Sequence, residues 1–309
     1  MTVQEQSMRA NFRRPFLNWK TLAAFLLGFA LYPALMLFPY PFFRHEAHAK
    51  NIAVYSDQSI SPELFPLLAH VEQRLQRSPL DDPRLQHRVF ICNSTWLFAF
   101  FANTDSHAGG VNKAWLNQYI FLRRAEIQRN RLIGPSGTEV PGERTLVYFI
   151  SHEIVHTLEE NLLGRNGYLR LPAWKREGYA DYVARDRGFV FGEQLPAYRR
   201  NAYEMNPKRS GLYLRYQLYV TYLLDQEHLT PQQMLTGRIA EPASDTNGVM
   251  GIYNREDLFS TQSSASFSIL AAAIVSSRVF SSLLPTRRVM ARTHTWPRQI
   301  ASRPEFLRA

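Results

Sequence analysis

The stretch His152-Glu153-Ile154-Val155-His156, with Trp174-Lys175-Arg176-Glu177-Gly178-Tyr179-Ala180-Asp181-Tyr182 downstream of it, decides how this chain is read. Residues four apart on a helix lie one above the other on one face. His152 and His156 can therefore present two imidazole nitrogens to one ion, with Glu153 beside them. The surroundings are helical in pattern: Leu146, Phe149, Ile150, Ile154, Val155 and Leu158 form a broad apolar surface, and neither Pro nor Gly occurs from Glu143 to Leu163. Gly164 is the expected stop, and a second helix is predicted from about Leu171-Pro172. A catalytic zinc has three protein ligands and an open position. Glu177, in the second helix, offers the third. Asp181 follows Glu177 at i+4, placed to accept the second N–H of a ligating histidine.

Outward from this pair, a neutral domain is predicted over 51–257. Strands are expected at Asn51–Tyr55, Arg88–Cys92 and Tyr119–Leu122, and a helix over Leu64–Arg77. Thr95–Ala102 is apolar throughout and reads equally as helix or buried strand. Asn103–Asn112 and Ile133–Gly142 read as loops, and further helices are expected at Leu212–Gln226 and Pro231–Leu235. Strands come first and helices after, which is an α+β order.

H-E-x-x-H followed by a second helix with E-x-x-x-D resembles the gluzincin metallopeptidases, the thermolysin-like branch of the zincins. Trp174-x-x-Glu177-Gly178-x-Ala180-Asp181-Tyr182 resembles a W-x-x-E-G-x-A-x-Y form found in bacterial gluzincin-like peptidases. The resemblance covers about residues 143–185. It implies a zincin-like fold, His152, His156 and Glu177 as Zn2+ ligands, Glu153 as general base, and a peptide or protein substrate. It also implies an edge strand that binds the substrate backbone, expected at Tyr119–Leu122 beside Gly109-Gly110. An oxyanion partner is still required. Among Tyr213, Tyr216, Tyr219 and Tyr222, spaced as on a helix, Tyr216 is the expected one, against the plainer reading of a packing stripe. His107 reads as an exposed loop residue, and His70, His87 and His228 as surface or core residues without metal spacing. His45, Glu46 and His48 read as a linker rather than a weak metal site.

Charge distribution narrows the partners. The formal net charge of +10 resides in three segments: +3 in 1–20, +1 in 44–50 and +6 in 258–309. The central domain has no excess to steer it onto a polyanion, so no nucleic-acid partner is expected. The single cysteine, Cys92, sits in an apolar run and reads as a core residue. Thr21–Phe43 lacks charge and is long enough to span a bilayer, with Pro33 a kink and Pro39 and Pro41 near its end. Basic residues before it predict a cytoplasmic 1–20, an anchor over 21–43 in contact with lipid, a linker over 44–50 and an extracytoplasmic domain. The rival is a signal peptide cleaved at Ala47-His48-Ala49. Residues 258–309 read as a basic Ser/Arg-rich tail. The expectation is a membrane-anchored zinc peptidase. The alternative is a catalytically silent metallopeptidase-like scaffold, which the intact Glu153 argues against.

Overall fold

A computed structural model of the chain describes residues 19–113, 118–185 and 189–241. The expected tail over 258–309 and nearly all of the N-terminal basic segment lie outside the described residues. The fold is mixed α+β. Helix α1 (Trp19–Leu37) is followed by strands β1 (His45–Ala49) and β2 (Ile52–Ser56), helix α2 (Leu64–Leu75), strand β3 (His87–Cys92) and helix α3 (Thr95–Ala102). Strands β4 (Gly110–Lys113) and β5 (Tyr119–Arg123) and a two-residue hairpin, β6 (Ala125–Glu126) and β7 (Arg131–Leu132), precede the long helix α4 (Leu146–Arg170). Helices α5 (Ala173–Ala184), α6 (Phe191–Arg199), α7 (Pro207–Ser210), α8 (Leu214–Thr221) and α9 (Pro231–Thr236) complete it, with a π-helical turn at Tyr222–Gln226.

Five strands form one sheet in the order β1-β2-β3-β5-β4. β2, β3 and β5 run parallel, while β1 and β4 are antiparallel edges. The central strands are continuous runs of β-favouring apolar residues buried on both faces, as parallel strands require. On one face α3 covers a ladder of stacked rings, in which Phe101 and Phe121 lie 4.5 Å apart and Phe90 and Phe121 5.1 Å apart. Cys92 belongs to this core, and burial pushes its thiol well up. α2 and α4 pack on each other, and α4 also touches β4 and β5. Thr95–Ala102 thus resolves as a helix. Three of its four rings, Phe98, Phe100 and Phe101, pack into the aromatic core, and Trp96 remains exposed.

Three expectations need correction. The span predicted over Thr21–Phe43 is not one helix. α1 ends at Leu37, and the chain turns through a short 3-10 helix at Tyr40–Phe42. Pro39 and Pro41 terminate the helical run, and the aromatic residues beyond it find partners in the domain: Phe43 packs on Phe90 at 5.0 Å and Phe42 on Phe101 at 5.7 Å. Among the described residues no helix is long and apolar enough to cross a membrane. The predicted linker over 44–50 contains strand β1, within which Ala47-His48-Ala49 pairs with β2. Its polar sequence, His45-Glu46-Ala47-His48-Ala49, gives no apolar signal because it is an edge strand with its exposed side chains in solvent. The third correction concerns the sheet edge beside α4. It is β4, read from sequence as loop, while Tyr119–Leu122 lies one strand further in.

Candidate metal centre

α4 begins at Thr145, whose side chain accepts the Tyr148 backbone N–H, and the Asn130 side chain accepts that of Val147. From Leu146 to Glu160 every residue is buried, so this helix is enclosed on all sides. Its apolar residues are each worth about 1.5–3 kcal/mol of burial. Its polar ones must find partners. Gly164, at φ 66° and ψ 161°, breaks the helix, which then resumes to Arg170. α5 returns across α4 and is fixed from two sides. Ser78 and the Tyr179 hydroxyl bond at 2.6 Å, and the Arg74 guanidinium donates to the Ala184 carbonyl. On the other side Gly178 lies so close to α8 that a Cβ there would stand 2.7 Å from the Tyr216 carbonyl oxygen. Trp174 and Ala180 are core residues, and the Tyr182 hydroxyl donates to Asp225 at 2.8 Å. The Trp, Gly, Ala and Tyr of the second stretch are therefore the packing that aims Glu177.

The structure brings His152, His156 and Glu177 together. Glu177 Oε2 is 3.3 Å from Nε2 of His152 and 3.6 Å from Nε2 of His156, and the three ligand atoms lie within 4.8 Å of one another. Ligands 2.0–2.1 Å from one ion at tetrahedral angles are separated by about 3.3 Å. The group can hold a metal ion. Electrostatics support it: Glu153, Glu159, Glu177 and Asp181 surround the two imidazoles, and among the described residues the only guanidinium bonded to any of them is that of Arg176, at 3.0 Å from Glu177. Buried carboxylates in excess of cations are costly unless a metal balances them.

Each histidine is oriented from behind. Nδ1–H of His152 donates to Asp181 Oδ1 at 2.9 Å, and Nδ1–H of His156 donates to Glu159 Oε2 at 2.9 Å. Both bonds turn Nε2 toward Glu177, the arrangement metal-ligating histidines use. Burial opposes the imidazolium in both rings, but bonds to Asp181 and Glu177 raise His152 well above its ordinary range, and Glu177 and Glu159 raise His156 to about 9. Burial acts against the Glu177 carboxylate, and the two histidines outweigh it and hold the group far below the carboxyl range. Burial raises Glu153, partly opposed by His156 and His152.

A cavity of about 470 Å³ opens over these residues, lined by Gly109–Asn112 of the β4 edge on one side and by Tyr168, Arg176 and Tyr213 among others. Glu153 lies in it beside Gly110. Asn112 ties the edge to α4, donating from Nδ2 to the Glu153 carbonyl at 2.9 Å and to Thr157 Oγ1 at 2.8 Å. Tyr216 does not line this cavity. It lines a neighbouring pocket with Asn201, Met205 and Arg215, while its backbone packs on Gly178. Tyr213, three residues earlier, takes the place expected of Tyr216. Its ring stacks on His152 at 6.1 Å and 15°, and its backbone N–H donates to Asp181 Oδ2 at 2.9 Å.

Several site residues escape the sequence reading. Glu159 carries a usable signal, a carboxylate one turn beyond a histidine on the same helix. Tyr148, whose hydroxyl donates to Asp181 at 2.6 Å, Asn112 and Arg144 carry none, because only the tertiary fold brings them to the site. His107 and His228 are exposed, and His87 is buried away from the cavity. No protein-family model matches the chain, and no curated protein matches it either.

Proposed function

We propose that the chain is a zinc-dependent peptidase of gluzincin type. The observation that carries this reading is the convergence of two helical histidines and Glu177 at ligand spacing, with Glu153 adjacent and the β4 edge alongside. Held by His152, His156 and Glu177, zinc would supply Lewis acidity and lower the pKa of a water. Glu153 holds the general-base position: it takes a proton from the water whose oxygen bonds to the scissile carbonyl carbon. It returns that proton to the amine nitrogen as the C–N bond breaks, and the second water proton passes from the new carboxyl group to the amine, leaving a carboxylate and an ammonium. Asp181 and Glu159 keep both imidazoles in the Nδ1–H tautomer. β4 offers backbone groups to an extended peptide, since among the described residues no strand pairs with its outer edge.

Tyr213 is the proposed oxyanion donor. Tyr148 is committed to Asp181, and two other cavity tyrosines flank the histidines. Burial and then Glu177 raise the Tyr213 hydroxyl, whereas burial and then Glu159, behind His156, raise Tyr168. Tyr213 is preferred on geometry: its ring stacks on His152 and its backbone N–H is bonded to the Asp181 that orients that ring.

Membrane attachment belongs to the same proposal. Trp19, Leu22, Leu26, Leu27, Phe29 and Leu31 are exposed along α1, and an apolar row of this size favours a lipid partner. Flotation with phosphatidylglycerol vesicles, lost on Leu26→Ser with Leu27→Ser, tests it.

The deciding experiment is zinc content together with hydrolysis of an unstructured protein by the wild type and by Glu153→Gln. Stoichiometric zinc in both, with hydrolysis in the wild type alone, supports the peptidase. Zinc in both and turnover in neither returns the reading to a silent scaffold. Absence of zinc, or zinc unaffected by His152→Ala, ends both.

A further inference from the structure

Arg144 stands at the wall of the metal cavity, just before the Thr145 cap of α4. Its guanidinium carbon lies over the Phe149 ring, 5.1 Å from the centroid. Gly211, at φ +73°, leaves the room it occupies, since a Cβ there would collide with the guanidinium. Nε of Arg144 is buried and has no hydrogen-bond partner.

That lack of a partner is unusual in its neighbourhood. Arg176 is bonded to Glu177, Arg185 to Glu143 and Gln217, and Arg123 to the Ala108 and Ser106 carbonyls. Glu143, the acid next to Arg144 in sequence, is taken by Arg185. Buried polar atoms are normally satisfied, and one left open beside a cavity calls for a partner that enters it. The guanidinium itself gives that partner its sign: it is a donor-only cation, and the acids on the cavity wall are engaged elsewhere, Glu177 with Arg176 at 3.0 Å and Asp105 with Lys113 at 3.2 Å. The planar fork of arginine matches a carboxylate in two parallel hydrogen bonds. The acidic side chains already present disfavour a more highly charged anion.

We propose that Arg144 is a carboxylate-recognition residue, so that the preferred peptide carries a carboxylate close to the scissile bond. This inference rests on the peptidase reading for the word substrate, but its binding test does not. The carboxylate comes either from a free C-terminus or from an Asp or Glu side chain, and both sources present the same two oxygens to the fork.

Zinc-loaded full-length Glu153→Gln protein, titrated calorimetrically with three N-acetylated hexapeptides of one neutral sequence, tests it. The first ends in a free carboxylate, the second in an amide, and the third is the amide with one central Gln replaced by Glu. The expected result is at least about tenfold tighter binding of one carboxylate peptide than of the neutral amide. Arg144→Met should remove that preference while leaving zinc content and affinity for the neutral amide unchanged. Arg144→Lys, which keeps the charge without the fork, should restore only part of it, and it carries the test should Arg144→Met fail to fold. Which carboxylate peptide gains identifies the source. Equal binding of all three, binding of none, or a preference that survives both substitutions overturns the proposal. A carboxylate preference without turnover by the protein bearing Glu153 keeps this site and refutes the peptidase. Turnover without the preference does the reverse.

Discussion

Asp181 holds His152 from the side away from Glu177: Nδ1–H of the ring donates to Oδ1 at 2.9 Å, while Nε2 faces Glu177 Oε2 at 3.3 Å. The carboxylate is itself fixed. The Tyr148 hydroxyl donates to the same oxygen, and the Tyr213 backbone N–H donates to the other. Asp181 thus connects α4, α5 and the start of α8 and fixes the imidazole tautomer.

Asp181→Asn keeps the shape but replaces an acceptor-only group with an amide that no longer demands Nδ1–H. Zinc affinity should fall by about 10–100-fold, the usual effect of losing such a partner. Competition with a fluorescent chelator measures it. Affinity equal to the wild type's would show that the bond does not orient the ligand.

Tyr213→Phe removes the hydroxyl and leaves the ring stacked on His152. Turnover should drop by about 10²–10³-fold with zinc content unchanged, as for loss of one oxyanion donor. Tyr216→Phe, outside the cavity, should stay within about twofold of wild type. Steady-state kinetics on the pair separates them. A larger loss at Tyr216 would restore the expectation drawn from spacing alone.

That expectation shows where the sequence stops being informative. His152, His156, Glu177 and Asp181 were readable because helix geometry ties i to i+4 and one turn separates α4 from α5. Choosing among four tyrosines at helical spacing required the rotation of α8, which close packing of Gly178 on the Tyr216 backbone sets. Strands β1 and β4 were missed for a related reason. His45-Glu46-Ala47-His48-Ala49 has only alanines at its half-buried positions and Gly110-Val111-Asn112-Lys113 a single valine, and edge strands gain their pairing from neighbours already formed. The apolar stretch before β1 read as one long span because hydropathy does not reveal that Met36 and Phe43 have protein partners.

Gly110 is such an edge residue with a role at the site. A Cβ there would stand 2.5 Å from Leu122 Cδ2 and 3.0 Å from Glu153 Oε1. Gly110→Ala should therefore displace Glu153, the proposed general base, without touching His152, His156 or Glu177. Zinc should be retained and turnover should fall measurably, since Glu153 must give by a few tenths of an ångström and Leu122 by more. Unimpaired turnover on the same protein substrate would show that Glu153 needs no such clearance.

Away from the site, His87 pairs with Ile52 at the start of β3, is 1 % exposed, and neither ring nitrogen has a partner. Burial lowers it from its ordinary 6.5 to about 4. Above pH 6.5 the ring is neutral in folded and unfolded chains alike and adds no pH dependence. Between 6.5 and about 4 the unfolded chain binds a proton that the folded chain refuses, so stability falls as the pH falls, by up to about 3 kcal/mol in all. His87→Leu removes both the titration and two unsatisfied buried nitrogens. Urea midpoints at pH 7 and pH 4.5 should differ less in the variant than in the wild type, and the variant should be the more stable at pH 4.5. An equal decline in both proteins would show that the acid sensitivity does not come from His87.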